Sequence, residues 1–130
     1  MIEVVAGVIF MKDKILCLQR GQGKYEYISF KYEFPGGKVE IGENHEEALT
    51  RELREELDVA VIVGEKILTA EHTYPDFSVR LHFYYCEMPD EQFHLKEHLD
   101  YKKLMVKDLK SLDWVEADRV IVNYLSSTIK

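Results

Sequence analysis

A chain of 130 residues, 46% hydrophobic and 32% charged, fits one domain of ordinary size and excludes a disordered tail or a membrane span. Its 17 basic against 24 acidic side chains leave a net charge of -7, which argues against nonspecific binding to nucleic acid or to an anionic membrane. Cys17 and Cys86 lie inside apolar runs and read as buried thiols in a reducing compartment. With no long apolar run and no basic leader, the expected location is cytoplasmic.

No linker or repeat interrupts residues 1–130, so a single domain is expected. Val4 to Phe10 and Ile15 to Gln19 are apolar, β-branched runs joined by Lys12-Asp13-Lys14, which predicts a hairpin. Gly21 to Lys24 reads as loop, Tyr25 to Phe34 as an extended aromatic segment, and Pro35-Gly36-Gly37 as a turn. Asn44 caps the best helical pattern in the chain, Glu47 completes a capping box, and Ala48, Leu49, Leu53 and Leu57 form its apolar stripe. Asp58 stands where helices usually stop on glycine, and Val59 to Val63 begins a strand. Ile67 to His72 and Val79 to Cys86 flank the turn Tyr74-Pro75-Asp76. The alternation of Val79, Leu81, Phe83 and Tyr85 predicts a strand with one buried face. Tyr101 to Val106 reads as a short strand, and Val120, Ile121, Tyr124 and Leu125 predict a closing amphipathic helix. This order implies α/β layers around a mixed sheet.

The chemistry concentrates in Gly36 to Glu43 and Arg51 to Glu56. Glu52, Glu55 and Glu56 are related by three and four residues, so they share one helical face, with Glu47 and Glu55 each one turn from Arg51. Like charges packed this way destabilise a helix unless a cation binds there. A solvated surface helix is the ordinary alternative. Against it, the leucines already occupy the core side, and the preceding Gly-Gly pair allows bare backbone to approach a ligand. Carboxylate oxygens suit Mg2+, with Mn2+ as substitute, and a carboxylate-held cation is equipment for hydrolysing phosphoanhydrides. The segment has no zinc-type ligand set, and His45 reads as a surface residue.

Gly37, five residues, Glu43, seven residues, then Arg51-Glu52-Leu53-Arg54-Glu55-Glu56 resembles the Nudix box of the Nudix hydrolases. Six fixed residue types match at a given start by chance on the order of 10⁻⁷. Glu33 to Glu40, Tyr74-Pro75-Asp76, Glu97-His98, Asp113-Trp114 and Ala117-Asp118 are similar to the MutT-type subgroup. The resemblance implies a Nudix-type α/β/α sandwich with a mixed sheet and a loop-helix-loop catalytic motif. It also implies hydrolysis of nucleoside triphosphates to monophosphate and pyrophosphate, on 8-oxo-dGTP or a related purine nucleotide, or alternatively on CTP or dCTP. A nucleotide-sugar or ADP-ribose hydrolase and a non-catalytic sensing module are the remaining readings; the second predicts eroded glutamates, which this chain retains.

Carried over by position, the resemblance places the metal on the Gly37 carbonyl, Glu52, Glu55, Glu56 and Glu97, with Glu52 orienting or deprotonating the attacking water. It assigns Arg20 to the substrate and Asp118 to the base; Lys38, directly after the glycines, is placed to contact phosphate as a point charge, and Glu43 and Arg51 are read as bracing the motif. Lys38 could instead be solvated, Asp118 could be a helix cap, and Trp114 could be core or a stacking platform. Phe77 stands where some members carry arginine. The expected partner is a small nucleotide, with no nucleic acid, membrane or protein partner.

Overall fold

The computed structural model describes residues 1–129. Strand β1 (Ile2–Met11) turns through Lys12, at φ 62°, into β2 (Lys14–Gln19), its antiparallel neighbour. Then come β3 (Tyr32–Glu33), β4 (Gly36–Lys38), α1 (His45–Leu57), β5 (Ile62–Thr73), β6 (Ser78–Glu87) and β7 (Asp100–Leu104). Two short 3-10 helices, Val106–Ser111 and Glu116–Asp118, lead into α2 (Arg119–Thr128). The sheet runs β3-β2-β1-β6-β5, with β4 added to β1 and β7 to β2. Among the named strands only the β1–β6 pairing is parallel, which makes the sheet mixed, as expected.

Alternation along β1 and β2 divides the core. Val5, Ile9, Leu16 and Leu18 pack with Leu49, Leu53 and Leu57 of α1. Ala6, Val8, Ile15 and Cys17 pack on the other face with Phe83, Trp114, Ile121 and Leu125. With a helix on each face, β1 can be apolar from Val4 to Met11, and the α/β/α sandwich follows. Both cysteines are buried free thiols, and burial pushes each up to about 12. Among the described residues no helix is long and apolar enough to cross a membrane.

The local signals of α1 are realised. Asn44 accepts from the Glu47 N–H, the Glu47 side chain accepts from the Asn44 N–H, and Asp58 ends the helix in the left-handed region at φ 56°, ψ 43°. Short polar side chains tolerate that region better than most, so the missing glycine costs little.

Several expectations need correction. Of Tyr25 to Phe34 only Tyr32–Glu33 is strand, because Ser29 holds residues 23–30 in turns, accepting from the Gly23 N–H at 2.9 Å and donating to the Tyr25 carbonyl at 2.8 Å. Gly36-Gly37 is strand β4 rather than a turn, paired to Val5 and Ala6. Any Cβ on Gly36 would collide with the Val5 carbonyl oxygen, so glycine is what admits this strand. β5 starts at Ile62, after the left-handed Asp58 has turned the chain. β6 buries Val79, Leu81 and Phe83 on one face as expected, and His82 and Cys86 are buried on the other. In α2 the buried residues are Ile121, Val122 and Leu125, whereas Val120 and Tyr124 of the expected stripe are exposed. His45 is half-buried, its ring 4.1 Å from that of His82 and its Nδ1 2.7 Å from the Tyr84 hydroxyl.

Candidate active site

The glutamate edge of α1 is built around Arg51. Its Nε and Nη2 reach Glu43 at 2.7 and 3.0 Å, its Nη1 reaches Glu52 at 2.9 Å and Glu55 at 3.3 Å, and its Nη2 donates to the Lys38 carbonyl at 3.0 Å. One guanidinium thus ties the loop before α1, strand β4 and two of the three glutamates. Glu47 takes no part, because the capping box occupies it. Pairing with Arg51 holds Glu43 below its usual value.

The three helix glutamates have different surroundings. Glu55 is half exposed, and Glu52 is largely covered, with burial pushing it upward. Its carboxyl lies against Gly37, where any added Cβ would overlap it. Glu56 is 5% exposed, and its Oε1 accepts from the Gly36 N–H at 2.9 Å. Burial, and then the charge of Glu33, push it up to about 9. The basic side chain beside it is His98, whose Nε2 lies 3.7 Å from Oε2. A buried carboxylate beside other carboxylates, with only one backbone donor, is stabilised by a divalent ion, and hard oxygen donors suit Mg2+ or Mn2+. The residues present therefore fit such an ion. Gly37 is paired with Val5 in the ladder, and the backbone amide that meets a glutamate belongs to Gly36.

Two residues join this cluster without having been singled out from sequence. The Glu33 carboxylate lies 3.0 Å from Arg20 Nη1 and 2.8 Å from His98 Nε2, and His98 Nε2 is 3.7 Å from Glu56 Oε2. Glu33, Glu56 and His98 offer ligand atoms within 4.8 Å of one another. Glu97 is exposed, yet its charge still raises Glu52 and Glu56. Segment 93–98 reaches the site because it satisfies the end of α1: the His94 N–H donates to the Leu57 carbonyl and the Lys96 N–H to the Glu56 carbonyl. The Glu33-Phe34 position ahead of the glycines was the available sequence signal for Glu33; for His98 it was its adjacency to Glu97.

Beside the glutamates opens a cleft of about 330 Å³. Val4, Ala6, Phe34 and Leu81 give it apolar walls, while Arg20, Lys38, Glu56 and Asp118 supply polar groups. Such a mixture suits a flat heterocycle with a phosphate tail. Asp118 is 3% exposed, and its Oδ2 accepts from the Phe34 N–H at 2.9 Å. It makes no cap hydrogen bond to α2, so the helix-cap alternative is set aside. Trp114 is core: it is 1% exposed, donates to the Leu109 carbonyl at 2.7 Å and stacks on Phe34 at 4.6 Å. Phe77 lines the cleft next to Tyr74, where an arginine is absent.

Burial, with the charge of Glu33 second, pushes Asp118 up to about 8 from 3.8. In that interval the folded chain keeps a proton that the unfolded chain releases, so this residue makes stability fall as pH rises from about 4 to about 8. Asp118→Asn is therefore expected to flatten the decline in melting temperature between pH 5 and pH 8.5 in EDTA. An unchanged slope would show that Asp118 ionises normally.

A family model described as NUDIX domain matches residues 1–125. The CTP pyrophosphohydrolase of Escherichia coli K12 is 39% identical over 98 residues, covering 75% of this chain and 70% of that protein. The 8-oxo-dGTP diphosphatase of Buchnera aphidicola from Schizaphis graminum is 29% identical over 127 residues, covering 98% and 95%. A solution structure of MutT, a Nudix hydrolase from methicillin-resistant Staphylococcus aureus 252, is 41% identical with a TM-score of 0.75, covering 97% of this chain and 95% of that one.

Proposed function

This chain belongs to the Nudix hydrolase family, and on that premise we propose that it hydrolyses nucleoside triphosphates to monophosphate and pyrophosphate with the help of a divalent cation, Mg2+ or Mn2+. The observation that carries the reading is the buried Glu56, held next to Glu52 at the inner end of a base-sized cleft. In our reading Glu52, Glu55 and Glu56 hold the cation with the Gly37 carbonyl, and Glu97 reaches it from the segment packed on the end of α1. When bound, such a cation neutralises phosphate charge and makes a water more acidic.

Glu52 is the general base. It is largely covered, already shifted upward by burial, and kept in place by Arg51 and Gly37. Arg20 and Lys38 border the cleft and meet the phosphates, with Lys38 acting as a point charge. Asp118 meets the edge of the base while the walls around Phe34 and Leu81 take its faces. An oxidised purine nucleotide, 8-oxo-dGTP, is the first substrate we propose; CTP is the second, favoured by the 39% identity to a CTP pyrophosphohydrolase. We also propose a cytoplasmic location, which the two buried free thiols suit.

Pyrophosphate release should be assayed on 8-oxo-dGTP, dGTP, CTP and dCTP side by side, with Mg2+, with Mn2+ and in excess EDTA. Turnover is expected only with metal. It should rise toward alkaline pH, because a cation binding at Glu56 must displace the proton that burial retains up to about 9. Full activity after metal stripping, or no turnover on any of the four nucleotides, would overturn the reading.

A further inference from the structure

We propose that His98 is a positioning residue of this site. Through its Nε2–H it pins the Glu33 carboxylate beside Glu56, and so joins the glutamate edge of α1 to the arginine side of the cleft. The inference rests on the divalent-cation reading above and extends it to two residues outside the glutamate motif.

The geometry is specific. His98 Nε2 lies 2.8 Å from Glu33 Oε2 and 3.7 Å from Glu56 Oε2, and the ring is 5% exposed. The other oxygen of Glu33 is taken by Arg20 at 3.0 Å. Glu33 is thus gripped from two sides, by an arginine that lines the cleft and by a histidine that faces Glu56. Nδ1 of His98 is buried with no hydrogen-bond partner among the described residues. The ring hydrogen therefore belongs on Nε2, where an acceptor waits, because a buried N–H without a partner is the costlier arrangement. His98 is accordingly assigned as a donor to the carboxylates and not as a metal ligand through Nε2.

The backbone holds the ring firmly. Two residues earlier the Lys96 N–H bonds the Glu56 carbonyl at 3.0 Å, and one residue later the Leu99 N–H bonds the Gln19 carbonyl at 2.9 Å. His98 is thereby fastened between the end of α1 and the end of β2. Without its side chain, Glu33 keeps only its bond to Arg20 and is free to follow that arginine toward the cleft. Glu56 then loses the neighbour that defines its outer side. Groups that orient metal-holding carboxylates in this way govern how well the oxygens are placed before the ion arrives.

The test is Mn2+ binding to the purified, nucleotide-free protein, followed by the electron paramagnetic resonance of free Mn2+. His98→Phe fills the space without a donor, and His98→Asn is polar but too short to reach the Nε2 position. Both are expected to weaken Mn2+ binding roughly ten- to hundredfold. His98→Gln places an amide N–H near the Nε2 position and is expected to restore affinity to within about threefold of wild type. Glu56→Gln serves as control and should abolish the binding. If Glu56→Gln binds Mn2+ like wild type, the cation reading itself fails. If Glu56→Gln loses binding while His98→Asn and His98→Phe retain it, His98 has no positioning role. Affinity in His98→Gln no better than in His98→Asn would overturn the donor assignment. Should His98→Phe not fold, the comparison of His98→Asn with His98→Gln decides alone.

Discussion

Glu56→Gln is expected to remove nearly all turnover while leaving the fold in place. The amide keeps the shape of the side chain and can still accept from the Gly36 N–H, so the contact between α1 and β4 survives. What disappears is the charge that would hold the cation. The charge stabilisation a divalent ion supplies to a phosphoryl transition state is worth several kcal/mol. At about 1.4 kcal/mol per decade that is a fall of roughly 10²–10⁴ in kcat. Stability should move the other way. Burial keeps Glu56 protonated up to about 9, so the ordinary carboxyl loses stability progressively as pH rises from 4.5 toward that value. A neutral amide escapes the loss. In EDTA at pH 8 the variant should therefore melt at or above the wild-type temperature. Steady-state kinetics with saturating Mg2+, together with melting curves, check both halves. More than half of the wild-type kcat would sink the assignment of Glu56 to the metal.

Asp118→Ala is expected to lower kcat/KM ten- to hundredfold, with most of the change in KM. The residue lines the cleft away from the α1 glutamates, so its contact with the base contributes about equally in the ground and transition states. Above about pH 8, where Asp118 is ionised, a hydrogen bond to it is worth roughly 1.5–3 kcal/mol. The structure adds a second consequence. Oδ2 is the acceptor for the buried Phe34 N–H, so alanine also orphans that donor, at a cost of about 1–3 kcal/mol in stability. Asp118→Asn separates the effects, since its amide oxygen can still accept from Phe34 while the carboxyl proton is gone. Both variants should be compared on 8-oxo-dGTP and CTP. The ratio of kcat/KM between the two is expected to shrink most in the alanine variant, whose cleft retains apolar contacts that tolerate either base. Ratios equal to wild type in both variants would show that Asp118 serves Phe34 alone and that base recognition lies elsewhere.

How legible each part was depends on the distance over which its determinants act. The segment 44–58 carries its instructions locally: a cap, a reciprocal glutamate, leucines at helical spacing and an aspartate able to end the helix left-handed. The spacing of Gly37, Glu43, Arg51, Glu52, Glu55 and Glu56 was equally plain, because one helix and its preceding loop contain all of it. Tyr25 to Phe34 misled because aromatic content favours strands, whereas local bonds coil the segment: the Ile28 and Ser29 N–H groups reach the Tyr25 carbonyl, and the Ser29 hydroxyl also bonds the backbone. Gly36-Gly37 misled for a related reason: the same bare backbone that permits a turn also permits a strand to press against β1.

Sequence alone determined the helix, its caps, the family pattern and the three glutamates on one helical edge. It could not say which of them would sink. Glu55 and Glu56 are neighbours in the chain, yet one is half exposed and the other nearly sealed, because β4 and the segment 93–98 close over only one side of α1. The union of Glu33 with His98 across 65 residues, and of Asp118 with Phe34 across 84, likewise exists only after the sheet and the end of α1 have been assembled. Helical periodicity is written in residues three and four apart. Burial of a charged group is set by whatever long-range packing lays over it, and no local pattern encodes that.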